Sequence, residues 1–330
     1  MTFVAALSNA ANDIKNLIRL WEEEVGEGRP FDRCIFTPLF CDSRTHHFVR
    51  HLHDSWGVEV MFDSGGFFVQ QGKVTYDELF PRLLAYYQSN DWGTAYVLPD
   101  FVPTSKNSPS EVDERVHVTA AEGVKFFRRM PEELRPKALG VLQGHQPEHL
   151  KRCLTAYQDA GVPHLGFGSF DTGGTNSEIN LLTAQAAGRL EFLRELLTGA
   201  YIRGESDTLT TFHLFGVSSP ALLAEFPSYL ASSFDSSGWM RTAGYGNVYL
   251  PFRSRRNVTH GASALSCGTG LTAAAFYAAC AETGHECPFC RDFAMIREDR
   301  FARMLHNAIV FKEMSEAING ATPQTEAVGS

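Results

Sequence analysis

Short apolar segments recur along the chain and alternate with longer stretches whose apolar positions repeat at helical spacing. The short runs lie at residues 34–37, 58–62, 95–98, 138–142, 164–167, 212–215, 230–234 and 248–251. Mostly apolar and only four or five residues long, they read as strands buried on both faces of a parallel sheet. Helical spacing occupies 76–89, 112–129, 147–160, 181–197 and 220–229. Pro147 stands where the first turn of a helix tolerates proline, and Gly161 follows as a stop. Residues 1–21 read as a further amphipathic helix, because Asn9, Asn12, Asp13 and Lys15 interrupt their apolar positions. Strand–helix alternation over this length predicts an α/β fold with a parallel sheet. No glycine-rich dinucleotide loop follows the first of these strands, which favours a closed (β/α)₈ TIM barrel over an open sheet. The expected organisation is a barrel over residues 1–252, a small C-terminal metal-binding subdomain with a helix packing on the barrel over 253–320, and a frayed polar tail over 321–330.

Composition narrows the function. The chain has 330 residues, 44% hydrophobic and 20% charged, with no uninterrupted apolar run long enough to span a membrane and no continuous apolar core of a signal peptide. A cytoplasmic, non-membrane protein is expected. Seven cysteines, irregularly spaced, predict a metal site or buried thiols in place of a disulfide framework. The net charge of −9 argues against indiscriminate polyanion binding, but it is unevenly spread. No Asp or Glu lies between Asp235 and Glu282, a window that holds Arg241, Arg253, Arg255 and Arg256. The window is either a solvated basic loop or a track for a phosphate backbone.

The C-terminal ends of barrel strands line the active site of this architecture. Those positions are Asp63 in FDSGGF, Asp100 in LPDFVP, Gln143 in VLQGH, Gly168 in GFGSF, Gly216 in LFGVSSP and Asp235 in SSFDSSGW. An aspartate at a strand end can simply cap the next helix or make an Asx-turn. Three at one end of a barrel face a common cavity, where carboxylates can divide the work of nucleophile, acid/base and ligand recognition. Further on, HECPFC sets His285, Cys287 and Cys290 close together, and His306 follows in RMLHNAIVF. Thiolates and imidazoles so spaced suit a tetrahedral structural zinc, with Cys280 competing with His285 for the fourth position. A lone CxxC could also be redox-active.

In this order and at these spacings the segments resemble the tRNA-guanine transglycosylases and their relatives that put 7-deazaguanines into DNA. The resemblance covers roughly residues 34–312. FDSGGF is similar to that family's DSGGFQ, GVLQGH to its GVVQGG, and HLFGVSSPALL to its YLMGVGxPxDL. FDSSGWMRTAGYGNVYL is similar to FDCVLPTRxxRxGxxFT, with Arg241 and Gly246 in register. The resemblance implies Asp235 as covalent nucleophile and Asp63 as general acid/base. It implies Asp100 and Gln143 as readers of the purine edge and Phe67 as the aromatic that stacks on the base, with Gly144, Gly168, Gly216 and Arg241 lining the same cavity. It implies zinc held by His285, Cys287, Cys290 and His306, His285 standing where the family has its first cysteine.

The chain departs from the pattern at Phe68, which replaces the Gln of DSGGFQ, at His145, which replaces the second Gly of QGG, and at residues 237–240 after the nucleophile. These departures favour the DNA-modifying branch over an ordinary tRNA enzyme. The expected function is exchange of guanine in DNA for a 7-deazaguanine such as preQ0. A tRNA substrate is the alternative, a homodimer is compatible with it, and a non-catalytic partner subunit would keep the fold without the chemistry. A different class, a metal-dependent barrel hydrolase, is suggested by the dense histidines His46, His47, His51 and His53, although a solvated or packed helix face explains them better. Cys267-Gly-Thr-Gly lacks the Lys-Ser/Thr ending of a phosphate-binding loop and reads as a turn before a helix.

Overall fold

In the computed structural model, which describes residues 1–173, 179–181, 183–202, 212–217, 220–223, 231–259 and 270–320, eight parallel strands close into a barrel. In chain order they are Thr2–Ala6, Arg33–Phe36, Glu59–Phe62, Ala95–Val97, Ala138–Leu142, His164–Phe167, Phe212–Leu214 and Ala231–Ser236. Each pairs with its sequence neighbour, and the first closes on the eighth with Val4 opposite Asp235. The (β/α)₈ architecture read from the sequence is therefore present, but two of its expected parts change places.

Residues 1–21 are not one helix. Thr2–Ala6 is the first barrel strand, and the helix begins only at Ala11, running to Glu24. A five-residue apolar run carries too little periodicity to separate strand from helix. Packing separates them here: Phe3 and Ala5 face the outer helices while Val4 faces the lumen. Conversely, residues 248–251 do not supply the eighth strand. Asn247–Val248 pairs antiparallel with Arg256–Asn257 in a separate small ribbon, and Pro251 has no N–H to extend a ladder.

The helices Ser43–Trp56, Tyr76–Gln88, Pro109–Arg129, Pro147–Ala160 and Ala184–Ile202 alternate with the strands. Pro109–Arg129 starts three residues earlier than its apolar spacing suggests, because Ser108 and Glu111 form a reciprocal capping box. Ala184–Ile202 starts later than expected, since Ile179–Leu181 pairs antiparallel with Asp171–Gly173. On Ser43–Trp56 the dense histidines serve separate partners. His46 Nε2 meets the Pro38 carbonyl at 3.0 Å, His53 Nδ1 meets that of Val58 at 3.0 Å, and His51 bonds Ser55. His47 is exposed, and among the described residues the four do not gather into a metal-ligand group. Most of the helix expected over 220–229, the turn at Cys267 and the tail over 321–330 lie outside the described residues; 220–223 form a 3₁₀ turn. Among the described residues no helix is long and apolar enough to cross a membrane.

The lumen is divided by chemistry. Val4, Ile35, Met61, Val97, Leu139 and Val141 pack into one apolar layer contributed by the first five strands. The seventh and eighth strands instead offer buried His213, Ser233 and Asp235. A register shift between Ala231 and Ser233 inserts one extra residue there, so that Ser233, not Ser232, stands opposite His213. Side chains alternate along a strand, so that single insertion decides which face Asp235 occupies.

The helix Arg300–Gly320 packs on the outside of the first strand. Ser315 Oγ donates to the Met1 carbonyl at 2.6 Å, and the Phe311 ring stands edge-on to Phe3 with centroids 5.4 Å apart. Phe3 also lies 5.7 Å from Phe234 of the eighth strand. Phe3→Ala should therefore lower the unfolding free energy by about 3–5 kcal/mol in denaturant titrations. An unchanged midpoint would show that the barrel is not sealed through the first strand.

Candidate functional site

Four of the residues singled out in the sequence meet at the C-terminal end of the barrel. Asp63 directly follows the third strand, its N–H continuing the pairing to the Phe36 carbonyl at 3.0 Å. The Thr37 hydroxyl donates to its Oδ2 at 2.7 Å. Burial pushes the Asp63 carboxyl up to about 6, and the negative charges of Asp100 and Asp235 push the same way, outweighing Thr37 and the Gly65 N–H. That two other carboxylates act on it is the electrostatic sign of a shared cavity.

Asp100 and Gln143 form one unit on the neighbouring strand ends. Asp100 Oδ2 accepts from Gln143 Nε2 at 2.7 Å and Oδ1 from the Ser64 hydroxyl at 2.8 Å. Burial raises the Asp100 carboxyl above its ordinary value, opposed by these two bonds. The unit is braced from behind: Ser169 Oγ bonds Gln143 Oε1 at 3.2 Å and accepts from Gly144 N at 2.6 Å. Buried Arg189 donates to the Ser169 carbonyl at 2.6 Å and to that of His145 at 3.3 Å. Gly66 is required by proximity, since a Cβ there would lie 2.4 Å from Asp100 Oδ1. Gly168 lies against the Gln143 amide.

Asp235 stands across the mouth from this unit, on the eighth strand, buried. Its Oδ1 accepts from Gly216 N at 2.9 Å and from His213 Nε2 at 3.2 Å. Gly216 can aim its N–H there because it adopts a left-handed φ of 68°. Asp235 is thus a lumen residue, and the helix-capping explanation of it does not hold: Gly238–Gly244 has Ser237 at its N-cap with no side-chain cap bond.

Phe67 sits on the short helix Gly66–Gln70 with 43% of its surface exposed. Phe68, at the position of the family's glutamine, is stacked on Phe40 at 3.9 Å. Arg241 is exposed on Gly238–Gly244, and Arg253, Arg255 and Arg256 are exposed around the small ribbon, beside exposed Tyr245 and Phe252. His213 and Ser233 were not singled out in the sequence. The signal for His213 was a polar residue inside a short apolar strand whose end had already been marked.

The cysteine–histidine cluster assembles as the spacing implied. His285, Cys287, Cys290 and His306 are buried, and their ligand atoms all lie within 4.8 Å of one another. Cys290 Sγ is 3.2 Å from Cys287 Sγ and 3.1 Å from His306 Nδ1. Each imidazole is oriented by an outer partner. His306 Nε2 donates to the Tyr249 carbonyl at 2.8 Å, and His285 Nδ1 meets Glu313 Oε2 at 2.6 Å. The inward His285 Nε2 is buried without a protein partner, which is what a metal-facing nitrogen requires. Cys280 is buried too but does not belong to the four-ligand group. The group could hold a metal ion with His285 as fourth ligand. Desolvation disfavours a charged His285 ring, yet Cys287 and Glu313 raise it to about 9, so binding a cation there releases a proton.

Elemental analysis should give about one metal per chain, and Cys280→Ala should keep it. His285→Ala should weaken binding, and in the parent chain the affinity should fall as the pH is lowered. Metal loss in Cys280→Ala with retention in His285→Ala would reverse the ligand assignment.

Asp63 yields a stability prediction of definite sign. Its folded carboxyl keeps a proton between about pH 4 and 6 that the unfolded chain has released, so stability falls as pH rises through that window. Asp63→Asn should be more stable than the parent at pH 7 and should lose that slope in urea titrations. Equal stability of the two at pH 7 would show that the folded chain does not raise the Asp63 carboxyl.

No protein-family model matches the chain, and no curated protein is similar to it at a significant level.

Proposed function

We propose that the chain is a base-exchange transglycosylase that replaces a guanine in DNA with a 7-deazaguanine such as preQ0, through a covalent ester on Asp235. The observation that carries the reading is the division of labour among carboxylates in one cavity. Asp63 is placed to hold a proton up to about pH 6, while Asp235, across the mouth, meets only hydrogen-bond donors through Oδ1 among the described residues. A carboxyl that keeps its proton to about pH 6 suits a general acid, and a carboxylate held by one oxygen with the other unbonded suits a nucleophile.

The chemistry follows the glycosidase pattern. Asp235 attacks C1′ as the C1′–N9 bond of guanine breaks, and the electron pair goes to the departing base, which takes the Asp63 proton. The incoming base then gives its proton to Asp63 and displaces Asp235 from C1′. Asp100 would accept from the purine N1–H and 2-amino group, for a carboxylate has lone pairs to spare beyond its two present bonds. The Gln143 amide would serve the O6 side, and exposed Phe67 offers a ring face to a base lifted from its stack. The exposed, acid-free stretch with Arg241, Arg253, Arg255 and Arg256 supplies positive charge for the backbone. The metal is read as a structural zinc, since two thiolates and two imidazoles in a closed site suit that ion.

The test incubates the protein with labelled guanine and duplex DNA, single-stranded DNA or tRNA. Label should enter DNA; label in tRNA alone would move the substrate class. Asp235→Asn should bind the polymer yet give no adduct stable to denaturing electrophoresis. Adduct formation by the parent should decline above about pH 6 as Asp63 loses its proton, and Asp63→Asn should lack that limb. Exchange at the parent rate in Asp235→Asn would refute the mechanism.

A further inference from the structure

His213 is the polar group of the barrel lumen that the exchange chemistry above leaves without a task. It lies in the middle of the seventh strand, 2% exposed, in the same cross-strand rung as Ser233. Its Nδ1 is 2.9 Å from Ser233 Oγ and its Nε2 3.2 Å from Asp235 Oδ1. Phe215 packs edge-on against the ring at 4.5 Å. Elsewhere the lumen is filled by aliphatic side chains, which need no partners. A polar pair is kept here although apolar residues of similar size would fill the layer without any hydrogen bond to satisfy.

The three residue types are those of a hydrolase triad, but the order is wrong. Ser233 precedes Asp235 by two residues on the same inward-facing side of the strand, so the serine lies one layer deeper and the carboxylate is the member at the mouth. The chain of bonds therefore ends on Asp235. A carboxylate oxygen can only accept, so Nε2 carries hydrogen, and in the neutral ring Nδ1 accepts from the Ser233 hydroxyl.

We propose that His213, set by Ser233, is a positioning residue that anchors Oδ1 of Asp235 and leaves Oδ2 to react. Both donors, His213 Nε2–H and Gly216 N–H, converge on Oδ1, and among the described residues Oδ2 receives no hydrogen bond. On the reading of Asp235 as nucleophile, on which this inference rests for its kinetic part, the arrangement acts chiefly in the second half of the exchange. The ester forms through Oδ2, and Oδ1 becomes its carbonyl oxygen, still facing both donors. When the incoming base attacks C1′, the C1′–Oδ2 bond breaks and its electron pair returns to the carboxylate. Part of that charge develops on Oδ1, where preorganised donors stabilise it without reorganisation. His213 thus makes Asp235 a better leaving group.

Two variants separate this role from mere packing. His213→Leu keeps the volume and removes the donor; His213→Gln keeps an N–H donor at nearly the Nε2 position. His213→Leu should lower turnover on the order of 100-fold. The KM for the nucleic acid should stay near the parent value, and the trapped adduct should rise because its resolution is slowed more than its formation. His213→Gln should recover to within about tenfold of the parent. Equal defects in both variants, or parent turnover in His213→Leu, would overturn the proposal. A second measurement is independent of any reaction: nitrogen NMR of histidine-labelled protein, with the His213 signal assigned from the Leu variant. Hydrogen on Nε2 is expected, with a shift of the signal in Asp235→Ala. A bare Nε2 would overturn the anchoring. Hydrogen on Nε2 in a parent chain that exchanges no guanine would support the anchoring and instead refute the transglycosylase reading.

Discussion

One extra residue in the eighth strand decides what the barrel can do. The pairing of Ser233 with His213, after the irregularity at Ala231, turns Ser233 and Asp235 into the lumen and sends Phe234 outward onto Phe3. Slipping the strand by one position would bury Phe234 among the apolar lumen residues and present Asp235 to the helix layer, away from His213 and the Gly216 N–H. The closing pair Val4 opposite Asp235 confirms the same register from the other side. Every feature of the candidate site on the seventh and eighth strands, including the Gly216 N–H, depends on that choice.

The site is held together by polar groups that the fold would be more stable without. Asp100 keeps its oxygens on Ser64 and Gln143, Gln143 keeps its own on Ser169, and Ser169 is met by Gly144 and lies beside Arg189. Such a network is tolerable in a low-dielectric interior only if its members are satisfied. Asp63 is the member left in tension, because burial and two neighbouring charges outweigh its bond to Thr37. A carboxyl in that condition costs folding energy at neutral pH and is ready to exchange a proton, and stability lost at one residue is the usual counterpart of such readiness.

Most of the architecture and the ring of strand-end residues were legible in the sequence, for physical reasons that also explain the misses. Strands buried on both faces announce themselves as short apolar runs, and their C-terminal ends then name Asp63, Asp100, Gln143 and Asp235 with no further information. The first strand hid because Thr2–Ala6 is followed so closely by the amphipathic Ala11–Glu24 that the two read as one pattern. Residues 248–251 misled because an apolar run does not say which edge it will join. The cysteine–histidine spacing was enough to find the four residues that could hold a metal. Choosing His285 over Cys280 needed the fold, since both are buried within a few residues of Cys287 and only geometry distinguishes them. His213 could not be ranked from its position, because a histidine in an apolar strand acquires meaning only when its partners across the rung are known.

The segment with the cysteine–histidine cluster lies outside the lumen, yet it is wired to the chain that leaves Asp235. Arg303, in the helix that carries His306, donates to the Ala243 carbonyl at 2.9 Å, and Asn307 donates to that of Trp239 at 3.0 Å. Asn307 also accepts from Tyr249 N at 2.8 Å, and the Tyr249 carbonyl in turn receives the His306 Nε2–H. Both ends of the stretch from Trp239 to Tyr249 are therefore fastened to one turn of one helix, and that turn carries His306 of the cluster. Gly238–Gly244 is only seven residues long, too short to be stable by its own hydrogen bonds. Its position, and with it that of exposed Arg241, is borrowed from Arg300–Gly320. A metal at the cluster would thus act on the stretch that follows Asp235 without touching that residue, by holding the stretch rigid against the helix.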